Sequence, residues 1–169
     1  MSSIRIRKIH NRDDSVNVFQ RLDAMLDEIR CRAFAFFEAR GGEPGRDLDD
    51  WFAAEREILW TPPVEVTENE KEFRIRVMAP GYELNELEIN AMPDCIVIQG
   101  EQHQRESESG ELLMAEFGAK RMFRRLELPA SLDLDKVTAT LVNGMLRIVA
   151  TKAAPAEEKR VFVTTSHAA

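Results

Sequence analysis

Three histidines, two cysteines and a cluster of aspartates are the residues of this 169-residue chain that could carry acid–base, nucleophilic or metal chemistry. A catalyst needs a nucleophile, a base or a metal ligand set held at a workable spacing. His10 and His167 lie in the two terminal regions and His103 in a polar stretch, so none stands beside a residue it could activate. No nucleophile elbow, phosphate-binding loop or dinucleotide fingerprint occurs in the sequence. Asp47, Asp49 and Asp50 lack the regular oxygen spacing of a calcium loop and read as the acidic start of a helix, with Asp47 as its cap. Cys31 falls inside a helical pattern and Cys95 opens an apolar strand. Far apart, they form neither a disulfide framework nor a metal pair, and a buried inert thiol is the simplest reading of Cys95. No catalytic, cofactor-binding or metal-binding residue is expected, and no enzyme activity.

The remaining chemistry is that of binding. Val161-Phe162-Val163 sets two β-branched residues on one side of an extended segment, within a polar tail that offers them nothing to pack on. Such a pair can dock by strand addition in an apolar groove, or form a short terminal strand of its own domain. Phe19, Phe34, Phe36, Phe37, Trp51, Phe52 and Trp60 all precede Pro62-Pro63. A two-helix hairpin of that length cannot enclose so many large apolar groups alone, so they must pack on the rest of the chain, on another subunit or on a client. Arg124 alternates with Met122, Leu126 and Leu128, and a guanidinium among apolar neighbours requires a carboxylate or backbone oxygens as partner. Pairing across a dimer interface or solvation at a sheet edge would both satisfy it.

The elements that must position these residues change character at Pro62-Pro63. Before it, Val18, Leu22, Met25, Ile29, Ala33 and Phe36/Phe37 recur at three- and four-residue steps, the pattern of one helix face. Gly41-Gly42 can end that helix and Pro44-Gly45 extends the break. A second helix follows, with Leu48, Trp51, Phe52, Ile58 and Leu59 as its apolar side, until the prolines stop it. After the prolines the period becomes two. Phe73, Ile75 and Val77 alternate with polar residues, as do Leu87, Ile89 and Ala91; Cys95 to Ile98 and Met122 to Leu128 add further strands. Asn143-Gly144, between Val137–Val142 and Met145–Ala150, is a two-residue hairpin signal. About seven strands punctuated by turns predict an antiparallel β-sandwich. The expected organisation is a flexible N-terminus over 1–15, a helical arm over 16–61, the sandwich over 62–152 and a mobile polar tail over 153–169. The polar loop from Gln102 to Gly110, followed by Leu112-Leu113-Met114, is long enough to serve function or assembly.

Composition narrows the function classes. Hydrophobic residues make up 44% and charged residues 31%, an ordinary globular mixture. A net charge of −7 argues against nucleic acid as a partner, because phosphate binding needs clustered cations. No apolar run approaches the roughly 20 residues of a membrane span. The basic start Met1-Ser-Ser-Ile-Arg-Ile-Arg-Lys8 is not followed by the apolar stretch of a signal peptide. A reducing cytoplasm is the expected compartment.

Residues 62–163 resemble the small heat shock protein (α-crystallin) family. Ala139, Gly144 and Leu146 match its A-x-x-x-n-G-x-L pattern, preceded by Leu128-Pro129 and followed by Val161 and Val163 at the I/V-x-I/V tail motif. Pro62 to Val66, the Pro80-Gly81 turn, Glu88-Ile-Asn90 and Val97 to Glu101 follow in family order, and Arg124 stands at the position of the family's core arginine. Lys120-Arg121 stand where the family usually has a glycine. The resemblance implies an immunoglobulin-like sandwich that dimerises by exchanging a loop strand, here Leu112, Leu113 and Met114, with Arg124 at the interface. It also implies a tail that docks between the family's fourth and eighth strands, with Leu87, Ile89, Val137, Ala139 and Leu141 lining that groove. Arg32 to Glu38 with Gly45 to Glu57 resembles a short bacterial helix-pair domain of unknown function, which implies a folded arm that controls assembly or recognises a partner.

The function this implies is an oligomeric, ATP-independent holdase. It would capture partly unfolded clients through its aromatic arm and pass them to ATP-dependent chaperones. The competing reading is a co-chaperone-like adaptor with the helix pair as its docking element.

Overall fold

The computed structural model describes residues 4–10, 12–102, 113 and 121–154, and of residues 12–19 the backbone alone. Two sheets face each other. One has the order β1-β5-β6-β7-β2, the other β3-β4-β9-β8. The strands are β1 (Arg5–Lys8), β2 (Leu59–Trp60), β3 (Val64–Glu68), β4 (Glu72–Met78), β5 (Leu87–Ala91), β6 (Cys95–Glu101), β7 (Arg121–Glu127), β8 (Leu132–Val142) and β9 (Met145–Lys152).

Alternation decides what lies between the sheets. Phe73, Ile75 and Val77 of β4 and Leu146, Ile148 and Ala150 of β9 meet Leu87, Ile89 and Ala91 of β5, Ile96 and Ile98 of β6 and Met122 of β7 in one continuous core. The intervening Arg74, Arg76 and Arg147 stay outside, as a period of two requires. The predicted hairpin forms at Asn143-Gly144, whose φ angles of 51° and 71° give the turn that matches strand twist. Its register pairs Val142 with Met145 and Leu141 with Leu146.

The structure corrects the expected N-terminal organisation in several places, and the first helix already begins at Arg12, inside the expected flexible lead. Arg5–Lys8, expected within a flexible lead, is a strand that pairs in parallel with β5, Arg5 opposite Glu88 and Ile6 opposite Ile89. Leu59 and Trp60 leave the second helix and pair in parallel with Arg121 and Met122. The sandwich is therefore antiparallel within β3–β9 and acquires parallel strands at both edges of one sheet. Each added strand comes from the segment before the sandwich, with ample chain to make a parallel connection. Thr61 precedes Pro62, which favours extended backbone, and Trp60 stacks on Tyr82 with ring centroids 6.1 Å apart. A further correction is the cap of the second helix. Arg46 occupies the cap position without a side-chain bond, and Asp47 is the first helical residue.

Helix α1 spans Arg12–Ala39 and α2 spans Asp47–Ile58. Met25, Ile29 and Ala54 form the centre of their contact, joined by Leu22, Ala33, Phe36, Trp51, Ile58 and Leu59. Gly41 turns the chain with φ of 93°, and Arg40 grips Asp50 from across the turn through Nε (3.0 and 3.1 Å) and Nη2 (2.8 Å). Leu48 and Phe52, expected on the packed side of α2, are 70% and 49% exposed. The face turned to α1 is the one carrying Trp51, Ala54 and Ile58. Phe123 of β7 packs against the same cluster and ties the helix pair to the outer face of the sandwich. Among the described residues, no helix is long and apolar enough to cross a membrane.

Candidate interaction surfaces

The expected groove lies at one margin of the sandwich, where the edge of β5 faces β8. Leu87 and Ile89 are 1% and 0% exposed and belong to the core, as does Val137; Ala139 and Leu141 are half-buried against it. This margin is occupied. Ile4 and Ile6 pack on the core beside β5, and β1 lies next to β8. Lys8 Nζ donates to Asp135 Oδ1 of β8 at 2.7 Å, which holds the Asp135 carboxyl below its ordinary range. On the opposite face of β1, Arg5 and Arg7 approach Glu88 at 3.7 and 3.4 Å, and Arg21 of α1 reaches it at 3.1 Å. One largely buried carboxylate thus draws together β1, α1 and β5. Ile9, with Val97, Met92 and Phe123, fills a small cluster beneath that face. Neither Ile4 and Ile6 nor Glu88 was expected as part of a site. The alternation Ile4-Arg5-Ile6-Arg7 is their one local sign, too short by itself to mark a strand.

The opposite margin is open. β3 is hydrogen-bonded to β4 on one side, and among the described strands nothing pairs with its other side. Val66 is 43% exposed there. Leu113, the described member of the expected exchange strand, is 89% exposed, while Leu112 and Met114 lie outside the described residues. Arg124 is half-buried on β7 opposite Ile98, and its Nε is buried with no hydrogen-bond partner among the described residues. Beyond Met122 the outer edge of β7 is also unpaired among the described strands, since β2 covers only Arg121 and Met122.

The aromatic arm divides. Phe36 and Trp51 are half-buried in the helix pair and Trp60 is half-buried against the sandwich, so these three keep only part of their surface free. Phe37 is half-buried beneath the Arg40 guanidinium. Phe34, 58% exposed, and Phe52 remain at the surface with Leu48. The side chain of Phe19, and both Val161 and Val163, lie outside the described residues.

The titrating groups behave as structural ones. Burial pushes the Tyr82 hydroxyl up to about 12, with the Glu86 carboxylate adding to the effect. Burial also raises the Cys95 thiol, aided by Asp94 and opposed by Arg125. Among the described residues no three His, Cys, Asp or Glu side chains gather as a metal site.

Residues 65–164, more than half of the chain, match the Hsp20/alpha crystallin family. The chain belongs to that family. Residues 25–59, the second half of α1 with α2, match a separate domain described as a protein of unknown function (DUF2934). Among relatives of the Hsp20/alpha crystallin domain is the 26.7 kDa chloroplastic heat shock protein of Oryza sativa, 35% identical over 94 residues, 53% of this chain and 39% of that one. The 17.6 kDa class II heat shock protein of Arabidopsis thaliana is 28% identical over 101 residues, 58% of this chain and 65% of its own. The matches thus span less than two thirds of these relatives. Heat shock protein 16.0 of Schizosaccharomyces pombe shares the fold, with a TM-score of 0.50, at 23% identity over 63% of this chain and 99% of that one. Small heat shock proteins are chaperones, and the Hsp20/alpha crystallin sandwich here carries a helix pair of its own on the outer face.

Proposed function

We propose that the protein is an ATP-independent holdase that binds partly unfolded chains and keeps them from aggregating, acting as a dynamic oligomer without enzymatic chemistry. The observation that carries this reading is the apolar surface of the helix pair. Phe34, Leu48 and Phe52 stand 58%, 70% and 49% exposed on a domain anchored to a stable sandwich. Contiguous exposed apolar surface marks interaction sites, and a helix pair with three large exposed apolar side chains is a candidate for one. An unfolding client presents the same kind of surface. Contact removes both from water at roughly 25 cal/mol per Å² of apolar area, with no covalent step and no nucleotide.

The open edge of β3 supports dimer formation by addition of a strand from a second copy, with Leu112, Leu113 and Met114 as that strand and Arg124 finding its carboxylate across the interface. A strand edge with unpaired backbone groups is a template for such pairing. Val161 and Val163 would then join dimers by docking at the β5–β8 margin. Each such contact is weak once ordering costs are met, and many in a closed assembly hold through effective concentration. Subunits of such an assembly exchange. Transfer of clients to ATP-driven chaperones in the cytoplasm follows from the same reading.

The test is heat-induced aggregation of a model client without ATP. Equimolar protein is expected to suppress turbidity, and Phe34→Ser with Phe52→Ser to remove more than half of that protection at unchanged helix content. Client turbidity that ignores the wild-type protein would reject the holdase reading.

A further inference from the structure

The groove assigned to the tail of a neighbouring copy already holds a segment of this chain. Ile6 sits beside Ile89 in register, Ile4 lies two residues before it on the same face, and both pack on the sandwich core. The backbone of Ile9 continues the pairing by donating to the Ala91 carbonyl at 2.8 Å. We propose that Ile4–Ile9 is a displaceable internal occupant of the β5–β8 groove, which competes there with Val161–Val163 of a second copy of this chain. The proposal rests on the reading above that the tail docks at this margin.

The two segments carry the same recognition pattern in opposite directions. From β1 outward the order is Ile4-Arg5-Ile6-Arg7-Lys8; read from its C-terminal end, the tail is Val163-Phe162-Val161-Arg160-Lys159. Both place β-branched residues at the first and third positions, a basic residue at the fourth and lysine at the fifth. In extended backbone the first, third and fifth residues share a face whichever way the chain runs. A tail antiparallel to β5 therefore directs Val163 and Val161 to the places of Ile4 and Ile6. It also brings Arg160 and Lys159 to the two acids that now hold β1, Glu88 and Asp135. Strand edges accept either direction of pairing, so the reversal carries no loss of backbone hydrogen bonding.

Relative strength makes this a competition. Each isoleucine carries one methylene more than valine, worth about fourfold in binding when buried. The internal segment is also tethered to its groove and wins when copies are dilute. Its grip is limited, though. β1 is four residues at the edge of a sheet, Ile4 and Ile6 are only half-buried, and Arg5 and Lys8 are exposed. An edge strand of that kind opens locally without unfolding the core. Tails concentrated by a growing assembly displace it and release the basic N-terminus.

The experiment uses full-length protein whose own tail is silenced by Val161→Ala and Val163→Ala, titrated into a fluorescent peptide of residues 157–165 and read by anisotropy. In this background Ile4→Ser with Ile6→Ser is expected to tighten peptide binding about tenfold, because the fraction of open grooves sets the apparent affinity. Lys8→Glu leaves the apolar packing untouched and breaks the contact with Asp135. It is expected to tighten binding at least about threefold by the same linkage, and it carries the test if the double serine variant unfolds. Equal affinity for closed and opened proteins would overturn the internal occupant while leaving tail docking intact. Failure of the peptide to bind any of them would overturn both.

Discussion

Gly144 shows how one residue can hold two turns together. Its φ of 71° lies in the left-handed region, a Cβ there would come within 3.1 Å of Pro80 Cα, and its carbonyl accepts from the Ala79 N–H at 2.7 Å. Gly144→Ala is expected to cost roughly 1–3 kcal/mol, from strain and a backbone clash together. Gly41, also at positive φ but with open space around it, supplies the comparison. Gly41→Ala is expected to cost about 1 kcal/mol from strain alone. Urea midpoints of the two variants measure the difference, and equal shifts would deny the contact with Pro80. The cysteines differ for a related reason of surroundings. Cys31 is exposed and Cys95 buried, its thiol held protonated by burial first and by Asp94 second. Since the thiolate is the reacting form, native protein at neutral pH is expected to consume one equivalent of thiol reagent quickly and the second only on denaturation.

At the scale of elements, β1 is held by ion pairs as well as by the packing of its isoleucines. Asp135 has its carboxyl lowered chiefly by the hydrogen bond from Lys8, with His10 adding to that effect and Asp133 opposing it, while Lys136 pairs with Asp133. A lowered folded value means that the contribution is fully present above the ordinary carboxylate range and lost as pH falls through the lowered value. Amide protection of Ile6 to Ile9 is therefore expected to hold above the ordinary carboxylate range, about pH 4, and to fall as pH drops below that range. Lys8→Met, which removes this partner and leaves Arg5 and Arg7 on Glu88, should show weaker protection at pH 5 and a shallower further loss. An identical pH profile in the variant would assign the attachment to Glu88 and the isoleucines. The helix pair is built differently. Its hold on the sandwich combines Phe123 with ion pairs from Arg21 to Glu88 and from Arg121 to Glu28, so apolar packing persists when the carboxylates are protonated.

For the whole molecule, the two margins of the sandwich have opposite states. Among the described strands nothing covers the outer edge of β3, whereas the β5–β8 margin is closed by Ile4–Ile9. On the proposed reading, assembly would proceed in two stages, a dimer first and tail-linked dimers once enough tails are present to open the grooves. Val161→Ala with Val163→Ala is expected to reduce particle mass toward that of a dimer in light scattering. Unchanged mass would remove the tail from assembly and leave the open edges as its basis.

What could be read from the linear chain was whatever depends on neighbours in sequence. The period of two over Phe73–Val77 and Leu87–Ala91 marked core strands because alternation alone sorts side chains between two faces. Asn143-Gly144 marked the hairpin because positive φ is a property of those residues, and Met25, Ile29, Ala33 and Phe36 marked a buried helix face by their spacing. The family's own pattern was equally local, carried by Ala139, Gly144 and Leu146. Tertiary structure alone decided which edge each short segment would find. Ile4-Arg5-Ile6-Arg7 is too short to declare itself a strand, and it became one because β5 offered unpaired backbone beside a half-open core. Leu59-Trp60 left a helix for β7 and Tyr82, and Leu48 and Phe52 turned outward because one side of α2 suffices to cover α1. In each case the deciding partner lies in another element of the fold, beyond the reach of any local pattern.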